Sequence, residues 1–356
     1  MLGTPNHLLG RLALWPLSRV YRAAVRFRAT AYRRGWLRTE ELPVPVISLG
    51  NLSVGGTGKT PLVEAICRFL EADGLRPGIV SRGYRRRGGA ELTVVSSGDG
   101  QGPAVDVSRA GDEPFLLATH LPGVPLVVAA DRVAAARRAI ELGARVIVAD
   151  DAFQHMRLGR QIDFLVIDAT NPTEAGWLLP SGRLREPLEA AGRAGAFLLT
   201  RCDRMGDPTA IRRIYRPFNP EAPFFETVAQ PQGLLAPDGS PVELESLRGA
   251  GVAAFCGIGS PRFFLQDLER QGAKVLEFAP FPDHHWFTDA ETEELAARFR
   301  RCGADLLVTT EKDHVRLTAP QRRRLGAHRL RIGAAVWNER QLLRFLRNRL
   351  ASEAAA

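Results

Sequence analysis

Short apolar runs recur along the chain, each closed by a turn residue and followed by a helix-length stretch. The first is Val44-Pro45-Val46-Ile47-Ser48-Leu49, and others cover 78–81, 126–129, 145–149, 164–167 and 196–200. Such runs predict buried strands of a mostly parallel sheet, joined by right-handed helical crossovers. A Gly-rich turn follows the first run, then a helix from about Thr60 to Ala72 that ends near Gly74. The segment 230–247 breaks the rhythm, with two short extended pieces around Pro237-Asp238-Gly239. Beyond it, runs at 251–255, 274–278, 305–309 and 330–332 alternate again with helical stretches. The pattern predicts an α/β fold with a larger parallel-sheet domain over 39–235 and a smaller α/β domain over 236–356. No internal repeat is visible, and the Ala-rich tail after Arg349 reads as frayed.

Residues 16–34 predict one helix in an N-terminal unit, 1–38. Pro16 suits the first helical position and Gly35 the residue just past the end. Leu17, Val20, Ala24, Phe27 and Ala31 share one face, with Arg19, Arg22, Arg26 and Arg33 opposite. Trp15, Tyr21, Tyr32 and Trp36 lie at its ends and flanks. A basic amphipathic helix with aromatic edges is the pattern of a helix lying in a membrane interface. A surface helix packed on the protein by its apolar stripe has the same pattern, so both readings stay open.

Composition narrows the class. The chain has 356 residues, 45% hydrophobic and 24% charged, which fits about two globular domains. No apolar run approaches the ~18–20 residues a membrane span needs. Arg11 and Arg19 interrupt the apolar start and no cleavage site follows, so no signal peptide is expected. Cys67, Cys202, Cys256 and Cys302 are dispersed, which argues against a zinc site or disulfide framework. The net charge of +9 and pI near 10.1 suit nucleic acid, an anionic membrane or a phosphorylated substrate. Only Lys59, Lys274 and Lys312 among the 48 basic residues are lysines. In so Arg-rich a chain, a lysine suggests a place that needs a compact ammonium.

Lys59 lies in the most informative run, Gly50-Asn51-Leu52-Ser53-Val54-Gly55-Gly56-Thr57-Gly58-Lys59-Thr60. Strand, Gly-rich turn and helix form the context of a P-loop, so the fold expected is P-loop NTPase-like. From Ser53 through Val54, Gly55, Gly56, Thr57 and Gly58 the backbone N–H groups would curl around phosphate oxygens. The following helix aims its N-terminus at the same phosphates. Lys59 would reach the β- and γ-phosphates and Thr60 would bind Mg²⁺. Ser53 departs from the usual pattern, which has Gly there.

A P-loop enzyme also needs carboxylates at neighbouring strand ends. Asp150-Asp151 ends an apolar run and supplies a pair that is costly without a cation. Gly111-Asp112-Glu113-Pro114 supplies another, in which Asp112 could take a hydroxyl proton and Glu113 could help with the metal; a helix N-terminus reads the same way. Ser81-Arg82-Gly83-Tyr84 and Gly182-Arg183-Leu184-Arg185-Glu186-Pro187 are Arg-bearing loops suited to clamping an anion, or ordinary surface loops. Phe153-Gln154-His155 follows the Asp pair, and Asp283-His284-His285 puts histidines beside an acid. Thr309-Thr310-Glu311-Lys312-Asp313 suits a functional role and a structural ion pair equally.

Taken in order, the runs 50–61, 81–84, 111–114, 150–155, 182–187, 283–285 and 310–313 resemble the tetraacyldisaccharide 4′-kinase family, the lipid A 4′-kinases of Gram-negative bacteria. The resemblance implies transfer of the γ-phosphate of ATP, with Mg²⁺, to the 4′-hydroxyl of a tetraacylated disaccharide 1-phosphate, giving lipid IVA. It implies a peripheral enzyme on the cytoplasmic face of the inner membrane, with a lipid disaccharide substrate and no nucleic acid partner. By the same resemblance Lys59 and Asp112 are catalytic, Asp112 working with His284, although His285 stays open. Thr60, Glu113, Asp150 and Asp151 map to the metal side. Arg82, Tyr84, Arg132, Gln154, His155, Arg185 and Glu186 map to the substrate side. The rival reading is a regulatory or metal-delivery P-loop NTPase, which the dispersed cysteines count against. A nucleic-acid-stimulated ATPase has only the pI in its favour.

Overall fold

The computed structural model describes residues 5–84, 86–87, 91–173, 176–205 and 207–354. Among these, thirteen strands join in one sheet. In chain order they are β1 Val46–Gly50, β2 Pro77–Ser81, β3 Thr93–Ser97, β4 Pro125–Val128, β5 Val146–Asp150, β6 Ile162–Asp168 and β7 Ala196–Thr200. Then come β8 Phe224–Leu235, β9 Pro241–Val242, β10 Gly251–Cys256, β11 Lys274–Pro280, β12 Leu306–Thr310 and β13 His328–Val336. The spatial order is β11-β10-β12-β13-β8-β7-β6-β1-β5-β2-β4-β3, with β9 beside β8. β1, β2 and β5 are buried along their whole length, as continuous apolar strands covered on both faces must be.

The expected α/β architecture is present, and one strand explains how it makes a site. β8 pairs in parallel with β7 through its first residues and antiparallel with β13 through the rest. At about 3.3 Å per residue its twelve residues span roughly 40 Å, so its far end projects past the edge where the P-loop half's strands terminate. Because β13 runs the other way, β10 and β12, parallel to β13 and to each other, point back. Both halves therefore present the carboxyl ends of their strands to one cleft, where α/β sheets bind ligands. β8 leaves β7 after Glu226 and ends at Leu235. The last helix, Glu339–Ala354, returns to the first half: Leu342 and Leu346 join the core of Leu62, Ile66 and Phe225.

Two expectations need correction. β8 begins at Phe224, six residues before the extended segment read from the sequence, and continues through Pro231. Pro231 is tolerated because β8 itself bulges beside it, at Gln232: Arg331 faces Gly233 and the next residue, Ile332, faces Pro231. The N-terminal helix runs from Pro5 to Arg33, with Pro16 in its interior. It packs by a different stripe from the one expected. Ser18 donates to the Leu178 carbonyl, Tyr21 donates to the Arg185 carbonyl and Arg22 pairs with Glu189. Leu17 (57% exposed), Val20 (68%) and Phe27 (65%) face outward. No helix of the described residues is long and apolar enough to cross a membrane.

Candidate active site

The P-loop leaves β1 and enters the helix Lys59–Ala72 through Gly58, whose φ of 78° is the left-handed conformation that glycine adopts without strain. The turn is stapled from the side. Val54 N–H donates to the Arg183 carbonyl, Arg183 donates back to the Val54 carbonyl, and Arg185 Nε donates to the Ser53 carbonyl at 3.0 Å. These bonds to the 182–187 loop fix the backbone at Ser53, which is why a residue with a side chain serves where Gly is usual. Lys59 Nζ donates to Asn51 Oδ1 at 2.8 Å and lies 3.3 Å from Asp151 Oδ1.

Asp150 and Asp151 follow β5. Burial would raise Asp151, yet Lys59 and Arg185 hold its carboxyl well below the usual range. Among the described residues no ion pair is made to Asp150, although Lys59 is near enough to lower it somewhat. Burial first, and Glu113 second, push it up to about 6. Ser81 donates to its Oδ2 at 3.1 Å, while its Oδ1 is buried without a hydrogen-bond partner. A buried, unpartnered carboxylate oxygen opposite a second acid is the donor set a divalent cation fits. Among the described residues no three His, Cys, Asp or Glu side chains form a ready cage. That suits Mg²⁺, which takes one or two carboxylates and completes its shell with phosphates and water.

Asp112 and Glu113 open the helix Asp112–His120, and their partners come from the other half of the chain. His284 Nδ1 lies 2.8 Å from Asp112 Oδ2, and Arg316 Nε lies 3.5 Å from the same oxygen. Burial would raise Asp112, but His284, Lys312 and Arg316 together bring it down to about 2. An ionised Asp112 only accepts, so His284 carries its proton on Nδ1. Lys312 donates to Glu113. His285 turns away: it bonds Glu291 at 3.0 Å and stacks on Phe281. Of the two histidines, His284 is the one beside Asp112.

A cleft of about 490 Å³ joins these parts. Its lining includes the P-loop from Val54 to Thr60, Arg82, Tyr84, Asp112, Glu113, Asp150, Asp151, Arg185, His284 and Lys312. The other end is apolar, with Val228, Ile258, Phe263, Phe264, Leu330 and Ile332. The three non-glycine residues with positive φ among the described residues, Asp151, Arg201 and His284, all lie in this lining. Backbone strain concentrates where side chains must be aimed. The second half also approaches the P-loop backbone closely: a Cβ on Gly259 would lie 3.7 Å from the Gly56 nitrogen.

Arg132, Gln154, His155 and Glu186 do not line the cleft. Gln154 donates to the Asn51 carbonyl, and Glu186 is buried against Arg193. Arg132 is buried, donates to the Ala130 carbonyl and is lowered to about 10 by burial. His155 is lowered to about 4 by burial and then by Arg132. Sequence reading did not single out Asn51, Ser81 as partner of Asp150, or Arg316. Arg316 is 1% exposed and donates to the carbonyls of Gly257, His285 and Lys312, so it ties the histidine loop to its own helix. Its signal was present, three residues past Asp313, but its partners are distant in sequence.

The family profile described as Tetraacyldisaccharide-1-P 4′-kinase matches residues 10–351. A tetraacyldisaccharide 4′-kinase from Pelobacter propionicus is 41% identical over 313 residues, covering 87% of this chain and 84% of the relative. One from Anaeromyxobacter sp. (strain K) is 44% identical over 320 residues, covering 87% and 83%. The crystal structure of LpxK from Aquifex aeolicus in complex with ATP superposes with a TM-score of 0.78 at 34% identity, covering 96% of this chain and 99% of that one.

Proposed function

The chain belongs to the tetraacyldisaccharide-1-P 4′-kinase family, and on that premise we propose how its cleft transfers the γ-phosphate of ATP to the 4′-hydroxyl of the lipid disaccharide 1-phosphate. The observation that carries the reading is that one cleft holds both a complete P-loop and the Asp112–His284 pair. The P-loop amides and Lys59 take the β- and γ-phosphates, and the apolar end around Phe263 and Ile332 takes the base. Thr60, Asp150 and Glu113 would hold Mg²⁺, with Asp151 fixing Lys59. When bound, Mg²⁺ neutralises charge that develops on the phosphate oxygens.

Asp112 accepts the proton of the acceptor hydroxyl. Held near 2, it is a weak base, which suffices because phosphoryl transfer has a loose transition state and releases the proton late. His284 fixes the Asp112 carboxylate by its Nδ1–H and sits edge-on to Tyr84, ring centroids 5.6 Å apart. Arg82 and Tyr84 on one rim and Arg185 on the other receive the disaccharide, with Arg132, Gln154, His155 and Glu186 supporting the substrate side from behind.

The enzyme works at the cytoplasmic face of the inner membrane, in this reading. The N-terminal helix supports it, because its Leu17, Val20 and Phe27 stripe points outward beside exposed arginines, the arrangement of an interfacial helix. In a flotation assay with anionic vesicles, Val20→Asp with Phe27→Asp should lower binding about a hundredfold or more, the scale of losing two apolar anchors. Unchanged flotation would remove the membrane role. For the reaction, the protein is incubated with γ-labelled ATP, Mg²⁺ and detergent-dispersed tetraacyldisaccharide 1-phosphate beside a Lys59→Ala control. A labelled lipid that vanishes in the control supports the reading. Label released only as free phosphate, whatever the lipid, would favour the NTPase alternative.

A further inference from the structure

Lys312 differs from the other cations at the cleft. It lies on the helix Glu311–Arg316, while its partner Glu113 lies on Asp112–His120, so this pair joins the two halves of the protein. Arg316, four residues on, is locked by carbonyls and cannot swing. Lys312 has a flexible stem, a side chain 30% exposed and a compact charge. It is one of only three lysines in the chain, and another of the three is Lys59 of the P-loop.

Glu113 lines the same cleft as Asp150 and, after burial, is the next cause that pushes Asp150 up, so a second acid lies near it. Asp150 Oδ1 is the buried oxygen without a hydrogen-bond partner. A divalent cation held by Glu113 would compete with Lys312 for the Glu113 carboxylate. We propose that Lys312 is a tethered counter-ion for Glu113, and that divalent-cation binding and release of Lys312 from Glu113 are one exchange. The exchange unlatches the halves at this point alone, because Asp112 keeps His284 and Arg316. The inference rests on reading Glu113 and Asp150 as the cation side of the kinase site.

The test titrates Mn²⁺, read by electron paramagnetic resonance, into protein saturated with the β,γ-methylene analogue of ATP. Lys312→Gln should bind Mn²⁺ on the order of tenfold more tightly than the unaltered protein, because a like charge has left the site. Lys312→Arg should stay close to the unaltered protein, and adding Glu113→Gln to Lys312→Gln should cancel the gain. Lys312→Met keeps the aliphatic stem and replaces the Gln variant if that one does not fold. Equal or weaker Mn²⁺ affinity on removing the Lys312 charge overturns the exchange and leaves the cation site standing. Affinity indifferent to both Glu113→Gln and Asp150→Asn removes the cation site, and the exchange with it.

Discussion

The two acidic pairs of the cleft look alike in sequence and are solved differently in space. Asp150-Asp151 is answered from within its own half: Lys59 and Arg185 hold Asp151, and Asp150 is left raised to about 6. Asp112-Glu113 is answered from the other half, by His284, Arg316 and Lys312. The first pair is preset within the P-loop half, by Lys59, Arg185 and Ser81. The second depends on how the halves meet, so its charge and aim are linked to the geometry of the cleft. Asp112 sits on the same half as the P-loop, but the groups that fix its charge and aim cross from the other half, so closure of the cleft would set its orientation.

The comparison can be broken at its strongest point first. Lys59→Ala removes the phosphates' ammonium and leaves Asp151 with Arg185 alone, and lipid phosphorylation should fall about a thousandfold or more. A loss below about tenfold would mean the first pair does not depend on Lys59. Next come the adjacent histidines, assayed for kcat and for melting. His284→Gln should lower kcat about 10–100-fold with little change in stability, since it acts through Asp112. His285→Gln should leave kcat within about threefold yet cost roughly 1 kcal/mol of stability, through its stack on Phe281 and bond to Glu291. Reversal of that pattern would reassign the partner of Asp112.

The smallest expected effect concerns the far end of the Asp112 helix. His120 bonds Glu64 at 2.8 Å and Glu311 at 3.2 Å, bridging the P-loop helix to the other half. Burial would lower its pKa, but the two carboxylates lift it from 6.5 to about 9. A raised histidine contributes stability that is full below about pH 6.5 and is lost as pH rises through about 9. The stability gap between the unaltered protein and His120→Gln, read by urea unfolding, should be on the order of 1–2 kcal/mol at pH 6 and shrink towards pH 9.5. A gap that does not vary with pH would show that the bridge is not ionic.

Much of this was legible in the chain because its signals are local. The P-loop, the Asp150-Asp151 strand end and the Asp112-Glu113 turn each fit within a dozen residues, and the parallel sheet follows from the apolar runs. What could not be read is set by distant partners. Arg316 reaches Asp112 across some two hundred positions. The run of β8 through Pro231 depends on a bulge at Gln232 that shows only in its pairing with β13. The N-terminal helix shows an apolar stripe in sequence, but only the hydroxyl contacts of Ser18 and Tyr21 decide that another stripe faces the protein.

The measurement closest to the central claim is single-turnover phosphoryl transfer by Asp112→Asn at saturating ATP and lipid, with ATP affinity measured on the same protein. The account predicts a transfer rate lower by about 10²–10³, the usual range for a lost general base, and ATP affinity within about threefold of the unaltered enzyme. Equal losses in rate and in ATP affinity would contradict it, placing Asp112 with the nucleotide and not with the acceptor hydroxyl.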